Sequence, residues 1–327
     1  MEDKIFNKEL KHRSLSLQER ACPDFSGEKE GEVAIGIDLG GTRIKAVAIN
    51  AAGKVLHENY QPTNDGDDDV WKKSVSAAVK ELQQILKADE ITIGLSAPGL
   101  PNDNNTCIAC MPGRMQGLEN FNWTNFLHQP TYVLNDAVAA LMAEAKFGAA
   151  KNKKNVVMLT LGTGVGGAIL IDGKPYQGAM NKAGHMGHMV INDEGDCDVT
   201  GMPGSLEECI GNCTIEKRSK GKFNATHQLM DAYKAGDVFA KEVWLKSVRQ
   251  LGIALASIAN VLSPEVIVLG GGITQAGKDL FEPLEVYMKQ FEWQPQGNTT
   301  PIVKAIYGDM AGAIGAASFA MLQNKMQ

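Results

Sequence analysis

The sequence predicts an α/β protein made of two halves with similar plans. Two observations carry this prediction: apolar strands alternate with amphipathic helices, and a β-hairpin with a Gly-rich turn occurs twice, about 120 residues apart. Hydrophobic residues make up 44% of the 327 residues and charged residues 21%, which is ordinary for a globular protein and excludes wholesale disorder.

The first half opens with a hairpin. Residues 32–39 form an apolar strand, a Gly-Gly-Thr turn follows over 40–42, and residues 44–49 return as the second strand. A third strand is predicted over 54–60. Because short turns join antiparallel strands, the first sheet is expected to have antiparallel members.

Helices and further strands complete each half. The apolar spacing predicts, in chain order, a helix over 71–86, strands over 91–95 and 131–134, and a helix over 137–147. The second hairpin has strands over 156–161 and 168–171 around a turn over 162–167. The remaining predicted elements are a long helix over 239–262, a strand over 266–269, a Gly turn over 270–272 and a final helix over 311–323.

Three Gly-rich turns, over 40–42, 162–167 and 270–272, each follow an apolar strand. Glycine lets backbone N–H groups approach an anion, so together the turns predict a nucleotide-phosphate site, although one such turn alone is an ordinary bend. The glycines of 162–167 also match a dinucleotide fingerprint. That motif needs a helix directly after it, and here a strand follows; the sequence has no P-loop motif either.

Two charged residues lie beside the first of these turns. Asp38 ends the first strand, where a carboxylate suits Mg²⁺ held through water next to phosphates, and its alternative role is to cap the turn. Lys45 is either a positive charge near the phosphates or a solvated strand residue.

Asn135 and Asp136 stand between a predicted strand and a predicted helix. Either residue suits an N-cap, but a helix needs only one. Both also lie at the carboxyl end of a strand, where α/β proteins bind ligands. We therefore predict that Asp136 accepts the proton of a substrate hydroxyl in a phosphoryl transfer, and that Asn135 orients the substrate.

Two histidines, His185 and His188, lie three residues apart in a Gly-rich stretch. The glycines argue against a stable helix and hence against a helical metal site. The alternative is a pair of turn histidines with local hydrogen bonds.

A short helix is predicted after Ser205. Ser205 and Glu208 fit a capping box, which explains Glu208 and leaves Glu207 free to point elsewhere. Cys209 and Cys213 are four residues apart on this predicted helix, and we expect both to be small buried residues.

At five places the motifs resemble those of the ROK family. That family contains bacterial sugar kinases as well as repressors, and it belongs to the actin, hexokinase and heat-shock ATPase superfamily. The matching segments follow the family order over 38–42, 135–136, 161–167, 183–188 and 270–272. The resemblance implies two ribonuclease-H-like (actin-like ATPase) domains around a cleft for a nucleotide and a sugar. The implied bounds are a polar extension over 1–30, a first domain over 31–133 plus 310–327, and a second over 134–309.

The resemblance also implies a role for each matching residue. It makes Asp136 the catalytic base, and it makes ATP and Mg²⁺ the cofactors. The implied sugar ligands are Asn135, His188 and Glu207, with Gly99 in a loop near the sugar. The implied nucleotide site consists of two phosphate loops, with Gly40, Gly41, Thr42, Gly162, Thr163 and Gly164, and an adenosine site with Gly271 and Gly272. Their position beside the first turn adds Lys45 and Asp38 to this site, with Asp38 holding Mg²⁺ through water.

The sequence departs from the family pattern in two respects. His185 stands where the family usually has a Glu that accepts hydrogen bonds from sugar hydroxyls. A neutral imidazole has one donor and one acceptor nitrogen, so we expect His185 to bind the sugar and alter substrate preference. In the family's zinc-binding stretch, Thr200 and Ser205 occupy Cys positions and only Cys197 remains, so we predict no structural zinc.

The function that these features predict is ATP-dependent phosphorylation of a hexose or N-acylated hexosamine by a cytoplasmic homodimer. The alternatives are a sugar-sensing ROK regulator and a catalytically weak sugar-binding relative. A regulator needs an N-terminal helix-turn-helix domain, for which residues 1–30 are too short. The net charge of −6 argues against nucleic acid as a partner, and we find neither a signal peptide nor an apolar run that suits a membrane span.

Overall fold

The computed structural model describes residues 32–63, 68–111 and 115–325. The polar extension predicted over 1–30 lies outside the described residues. The first half of the chain contains β1 (Val33–Leu39), β2 (Arg43–Asn50), β3 (Val55–Pro62), α1 (Asp68–Leu86), β4 (Thr92–Ala97), β5 (Leu100–Pro101), β6 (Ile108–Cys110), α2 (Trp123–Leu127), β7 (Thr131–Asn135) and α3 (Asp136–Lys146).

The second half repeats the plan with more helices. Its elements are β8 (Val156–Leu161), β9 (Val165–Ile171), β10 (Lys174–Pro175), α4 (Leu206–Ile210), α5 (Ile215–Arg218), α6 (Thr226–Lys234), α7 (Val238–Leu262), β11 (Val266–Gly270), α8 (Lys278–Phe291), β12 (Ile302–Lys304) and α9 (Ala311–Asn324). None of the helices within the described ranges has the length and apolar character needed to cross a bilayer.

Two five-stranded sheets share one topology. The first has the order β3-β2-β1-β4-β7 and the second β10-β9-β8-β11-β12. In each sheet the first three strands pair antiparallel and the last three parallel. The predicted α/β class with two similar halves is therefore confirmed.

The second hairpin is tighter than predicted. β8 and β9 pair from Val156 opposite Leu170 as far as Leu161 opposite Val165, so the turn spans only three residues, 162–164. Gly166 and Gly167 belong to the strand, and the prediction of a turn over 162–167 is wrong. Gly167 suits the strand because the chain packs closely there: a Cβ would lie 2.6 Å from the Gly184 carbonyl oxygen.

The helices α3 and α9 pack against each other between the two sheets. α9 lies on β1 and β4 of the first sheet, whereas α3 lies on β8 and β9 of the second. One apolar core runs through both helices and both inner sheet faces. The outer faces are covered separately, by α1 on the first sheet and by α7 and α8 on the second. The chain therefore passes between its halves through helices that are themselves part of the core.

Glu144 links the two chain segments that connect the sheets. This buried carboxylate lies near the end of α3 and accepts hydrogen bonds from the backbone of Ile306 (2.7 Å) and Tyr307 (2.9 Å), just before α9. Its other oxygen accepts from the Ala149 nitrogen at 2.8 Å. Three charge-assisted bonds compensate for the burial of the carboxylate.

Gly315 allows the close approach of α9 to α3. A Cβ at this position would lie 1.7 Å from the Ala139 carbonyl oxygen, which backbone atoms cannot give way to. We expect Gly315→Ala to lower the free energy of unfolding by about 1–3 kcal/mol, because overpacking outweighs the helix preference of alanine. Urea unfolding measures this. The control is Gly272→Ala, where a Cβ meets nothing within 4 Å; equal stability of the two variants would contradict the prediction.

Candidate active site

The carboxyl ends of three parallel strands bring the first site residues together. Asp38 on β1 pairs in register with Ser96 on β4, and the next residue of β4, Ala97, pairs with Asn135 on β7. Parallel strands end at the same edge of a sheet, so their last side chains are neighbours there. This edge lies at the start of α3, facing the second sheet.

Asn135 is the N-cap of α3. Its Oδ1 accepts hydrogen bonds from the backbone nitrogens of Ala137 (3.0 Å) and Val138 (3.4 Å), and its Nδ2 donates to the Gly99 carbonyl at 3.1 Å. The side chain is buried. Asn135 thus caps the first turn of the helix and anchors the loop containing Gly99. Asp136 Oδ1 also accepts from the Ala137 nitrogen, at 2.8 Å, which Asn135 already satisfies.

Asp136 is the first residue of α3. Many protein atoms surround its carboxyl group, yet the residue is exposed to solvent. Burial raises the pKa of Asp136 to about 6, and the negative charge of Asp38 raises it further against the opposing bond from the Ala137 nitrogen. A carboxyl group with this pKa is largely ionised at neutral pH and more basic than an ordinary aspartate, which suits a general base.

Asp38 and Lys45 form an ion pair beside the first Gly turn. Lys45 Nζ lies 3.2 Å from Asp38 Oδ2 and donates to the Asp309 carbonyl oxygen at 2.6 Å. Ser96 Oγ donates to the other oxygen, Asp38 Oδ1, at 2.9 Å. Lys45 is therefore not a solvated strand residue, because its side chain is mostly buried and contacts both Asp38 and Asp309.

The donor set at this edge fits a magnesium ion held mainly by water and phosphate. Mg²⁺ in phosphoryl-transfer sites takes one or two carboxylates and keeps several waters. Asp38 and Asp136 are near enough that the charge of one shifts the pKa of the other. Across residues 32–63, 68–111 and 115–325 there is no group of three or more His, Cys, Asp or Glu that could hold a metal by itself.

The turn over 162–164 is held in place from the second half of the chain. The carbonyls of Gly162 and Thr163 accept hydrogen bonds from the backbone nitrogens of Asn212 (3.0 Å) and Cys213 (2.8 Å). Glu207 Oε2 accepts from the Val165 nitrogen at 2.9 Å. Glu207 thus points towards the turn, where one of its carboxylate oxygens is used.

A cavity of about 540 Å³ opens beside this turn. Gly162 and Thr163 form one wall, and Gly272 with the residues after it forms another. The third wall is α6, with Thr226, His227, Met230, Asp231 and Lys234. The cavity lies within the size range of small-molecule sites. Sequence reasoning missed the α6 wall, because this amphipathic helix carries no Gly-rich turn or motif that marks a ligand.

His185 presents its second ring nitrogen as an acceptor. His185 Nδ1 lies 3.1 Å from the Lys182 carbonyl oxygen, and since a carbonyl only accepts, Nδ1 carries the hydrogen. Burial lowers the pKa of His185 and favours the neutral ring, although the Lys182 bond opposes this. In the neutral ring with hydrogen on Nδ1, Nε2 accepts hydrogen bonds, as the oxygen of a carboxylate does.

His188 is oriented by a carboxylate that sequence reasoning missed. Asp198 Oδ2 accepts from His188 Nδ1 at 2.8 Å. Asp198 Oδ1 accepts from the Thr200 nitrogen (2.8 Å), the Thr200 hydroxyl (2.7 Å) and the Met202 nitrogen (3.1 Å). Burial opposes the ionisation of Asp198, but the bonds from His188 and Thr200 outweigh it and hold its pKa well below the usual range. An ionised carboxylate therefore holds together the loop over 197–205, the stretch in which Thr200 and Ser205 occupy Cys positions.

Two smaller expectations are wrong. Ser205 does cap α4, accepting from the Glu208 nitrogen at 3.4 Å, but Glu208 does not complete the box, because its carboxylate bonds to Lys217 at 2.8 Å. Cys209 is buried as expected, whereas Cys213 is exposed. Helix α4 ends at Ile210, so Cys213 falls on a separate turn and not on the helix face that Cys209 shares with the core.

Comparison with known proteins agrees with this geometry. The ROK family model matches residues 34–323. The chain belongs to the ROK family. The resemblance that the five motifs indicated is confirmed.

The ROK relatives include enzymes with known names. The chain is 30% identical to a glucokinase of Halalkalibacterium halodurans over 86% of this chain and 92% of that protein. It is 30% identical to an N-acetylmannosamine kinase of Vibrio cholerae over 87% and 98% of the two chains. The ROK hexokinase of Thermus thermophilus superposes with a TM-score of 0.79, at 27% identity, over 90% of this chain and 100% of that one. ROK hexokinases have the actin-like ATPase fold with two domains, so this superposition confirms the predicted fold class.

The Asp198 network makes a prediction about stability. The Asp198 side chain has no solvent-exposed area and accepts hydrogen bonds from His188, Thr200 and Met202, so we expect Asp198→Asn to cost about 1–3 kcal/mol of unfolding free energy at pH 7. The folded pKa is depressed, so this contribution is present above the unfolded value of about 3.9 and lost as the pH falls below it.

Urea unfolding of both proteins at several pH values tests this. The control is Asp196→Asn on the same loop, whose side chain is 72% exposed and pairs with Lys217 at 3.0 Å. Such a surface pair contributes little. A loss for Asp198→Asn no greater than for Asp196→Asn, or one that does not shrink in acid, would refute the role of this carboxylate.

Proposed function

We propose that the chain transfers the γ-phosphoryl group of ATP to a hydroxyl of a hexose or N-acylated hexosamine, with Asp136 as general base. The chain is a sugar kinase: its ROK relatives of comparable length include glucokinases and N-acetylmannosamine kinases. The single observation that carries the mechanism is the position of Asp136. Its carboxylate lies at the exposed start of α3 beside Asp38 with a pKa of about 6, while Asn135 caps the helix.

The transfer needs little covalent chemistry from the protein. Phosphoryl transfer depends chiefly on positioning and on neutralising charge. Asp136 accepts the proton of the attacking sugar hydroxyl. The hydroxyl oxygen bonds to the γ-phosphorus while the bond between that phosphorus and the ADP oxygen breaks. The turns over 40–42 and 162–164 offer backbone N–H groups to the phosphates. Mg²⁺, which Asp38 would hold through water, supplies neutralising charge to the phosphates when bound.

The nucleotide and the sugar are assigned to neighbouring regions of the cleft. We assign the adenosine to the 540 Å³ cavity between Gly272 and α6, next to Thr163. We assign the sugar to the region between Asp136 and the stretch with His185 and His188. Asn135 holds the Gly99 loop beside it, and Glu207 fixes the phosphate turn from the same side.

The division into domains is part of the proposal. We take residues 31–133 with 310–327 as one lobe and 134–309 as the other, with the cleft between them. Closure of the lobes over the sugar would exclude water and limit wasteful hydrolysis of ATP. We place the reaction in the cytoplasm, where ATP is supplied.

We also propose that the enzyme is a homodimer that uses the end of α7. Trp293 is 75% exposed and Val261 is 81% exposed. A hydrogen bond of 3.0 Å from the Trp293 backbone nitrogen to Asn260 Oδ1 holds the segment after α8 against the end of α7. Exposed tryptophan is enriched at the centres of protein interfaces.

The role of Asp136 predicts a pH dependence. A protonated carboxyl cannot accept the hydroxyl proton, so kcat/KM should fall about tenfold per pH unit below a pKa of about 6. Asp38→Asn removes the neighbouring negative charge and so should shift this acid-side fall in kcat/KM to lower pH. The shift is expected even if the substitution also lowers the maximal rate. Asp136→Asn should reduce kcat by about 10²–10⁴-fold.

A coupled assay of ADP release measures all three proteins. The control is Asp172→Asn, an exposed residue at the end of the second hairpin. Full activity of Asp136→Asn, or an acid limb that Asp38→Asn leaves in place, would contradict the assignment of the base.

The neutral ring of His185 predicts a change in sugar preference. We expect His185→Glu to alter the ratio of kcat/KM for glucose and N-acetylmannosamine by about tenfold or more, chiefly through KM. The substitution replaces one neutral acceptor nitrogen with two carboxylate oxygens that share a negative charge. The exposed His57→Glu is the control, because it adds the same charge on β3. An unchanged profile over a sugar panel would show that His185 does not set the substrate.

A further inference from the structure

A second cavity lies behind the cleft, where the two halves of the chain meet. Its volume is about 290 Å³, near the lower end of the range for small-molecule sites. Walls come from the β2–β3 turn and α9 on one side, and from the hairpin β8–β9 on the other. The last turns of α3 close it from between. No residue assigned to the nucleotide or the sugar lines this cavity.

The floor of the cavity is apolar. Met142 of α3 and Leu170 of β9 are each 3% exposed, and Leu322 of α9 lies across from them. Phe147 forms the edge next to the β2–β3 turn. The turn meets this ring without a gap, since a Cβ at Gly53 would lie 2.5 Å from it. An apolar ligand body would therefore find the contacts that a side chain finds in a core.

The rim of the cavity is cationic. Residues 146–154 contain four lysines and no acidic residue, in a chain of net charge −6, and all four lysines line the cavity. Lys146 alone is explained by its position in the last turn of α3, where a helix favours positive charge. Lys153 lies 3.7 Å from Glu265 in a partly exposed pair, which leaves its other N–H donors available to an anion.

We propose that this cavity is a regulatory site for a small organic anion, a carboxylate carried on an apolar chain. The tail lies on Met142, Leu170 and Leu322, and the carboxylate lies among the lysines of the rim. A sugar or a bare phosphate would leave the apolar floor without contacts, and a neutral lipid would not use the lysines.

Binding at this site changes the affinity of the cleft for sugar. The walls belong to both sides of the joint, so movement of one lobe against the other changes the shape of the cavity. A ligand that fits one shape better shifts the equilibrium between the two arrangements by its difference in affinity. This coupling rests on the proposed sugar site, whereas the binding of the anion does not.

The experiment uses octanoate as the probe and isothermal titration calorimetry of the full chain without sugar or ATP. We expect octanoate to bind with a Kd of about 1 mM or lower, and 1-octanol, octylammonium and acetate to bind at least about tenfold more weakly. The double variant Lys151→Gln, Lys153→Gln should weaken octanoate about tenfold. Lys241→Gln, an exposed lysine on α7, is its control.

A second variant tests the location. Ala52→Trp fills the mouth of the cavity from the exposed side of the β2–β3 turn and should abolish binding, whereas Lys54→Trp on the same turn should not. Octanol binding as tightly as octanoate, no octanoate binding at about 10 mM, or full binding by Ala52→Trp would each overturn the site.

The coupling is read separately. Octanoate should change the Kd for glucose about threefold or more in the wild type and not in Ala52→Trp. Octanoate binding with an unchanged glucose Kd would overturn the coupling while leaving the site. Absence of any sugar binding, with octanoate still bound, would count against the proposed kinase function instead.

Discussion

The side chain of Asn135 is the contact on which the site depends. A helix that begins directly at the end of a buried strand has backbone nitrogens without partners, and one side chain must accept from them. Asn135 does this for α3 and with its amide nitrogen also holds the Gly99 carbonyl. Asp136, the next residue, lies at the start of the helix. Its carboxylate is accessible to solvent, although many protein atoms surround it. Its basicity follows from that position and from the charge of Asp38 nearby.

Helix α3 also joins the two halves of the molecule. α3 carries Asp136 at its first position and Glu144 in its last turns, so the helix that presents the base also holds the returning chain through Ile306 and Tyr307. The close approach of α9 to α3 depends on the absence of a side chain at Gly315. Movement of one half against the other must therefore be accommodated around this helix pair, which connects the cleft on one side to the lysine-rimmed cavity on the other.

Patterns that are local in the chain predicted much of this. The apolar strands and their alternation with helices depend on neighbouring residues, whereas the capping of α3 by Asn135 was left open between Asn135 and Asp136. The role of Asp198 could not be predicted, because a loop aspartate acquires its partners only when His188, ten residues away, folds back onto it. The same holds for Glu144, because two of its partners, Ile306 and Tyr307, are more than 160 residues away. The hairpin turn over 162–164 was predicted too long because glycines within a strand look like turn residues until the packing beside Gly167 is known.

A crystal structure with glucose and a non-hydrolysable ATP analogue tests the central claim most directly. The account predicts that one oxygen of the Asp136 carboxylate lies within about 3.2 Å of one sugar hydroxyl, with that hydroxyl facing the γ-phosphate. A closed complex in which no sugar oxygen approaches Asp136 within about 4 Å, and another side chain contacts the hydroxyl that faces the phosphate, would contradict it.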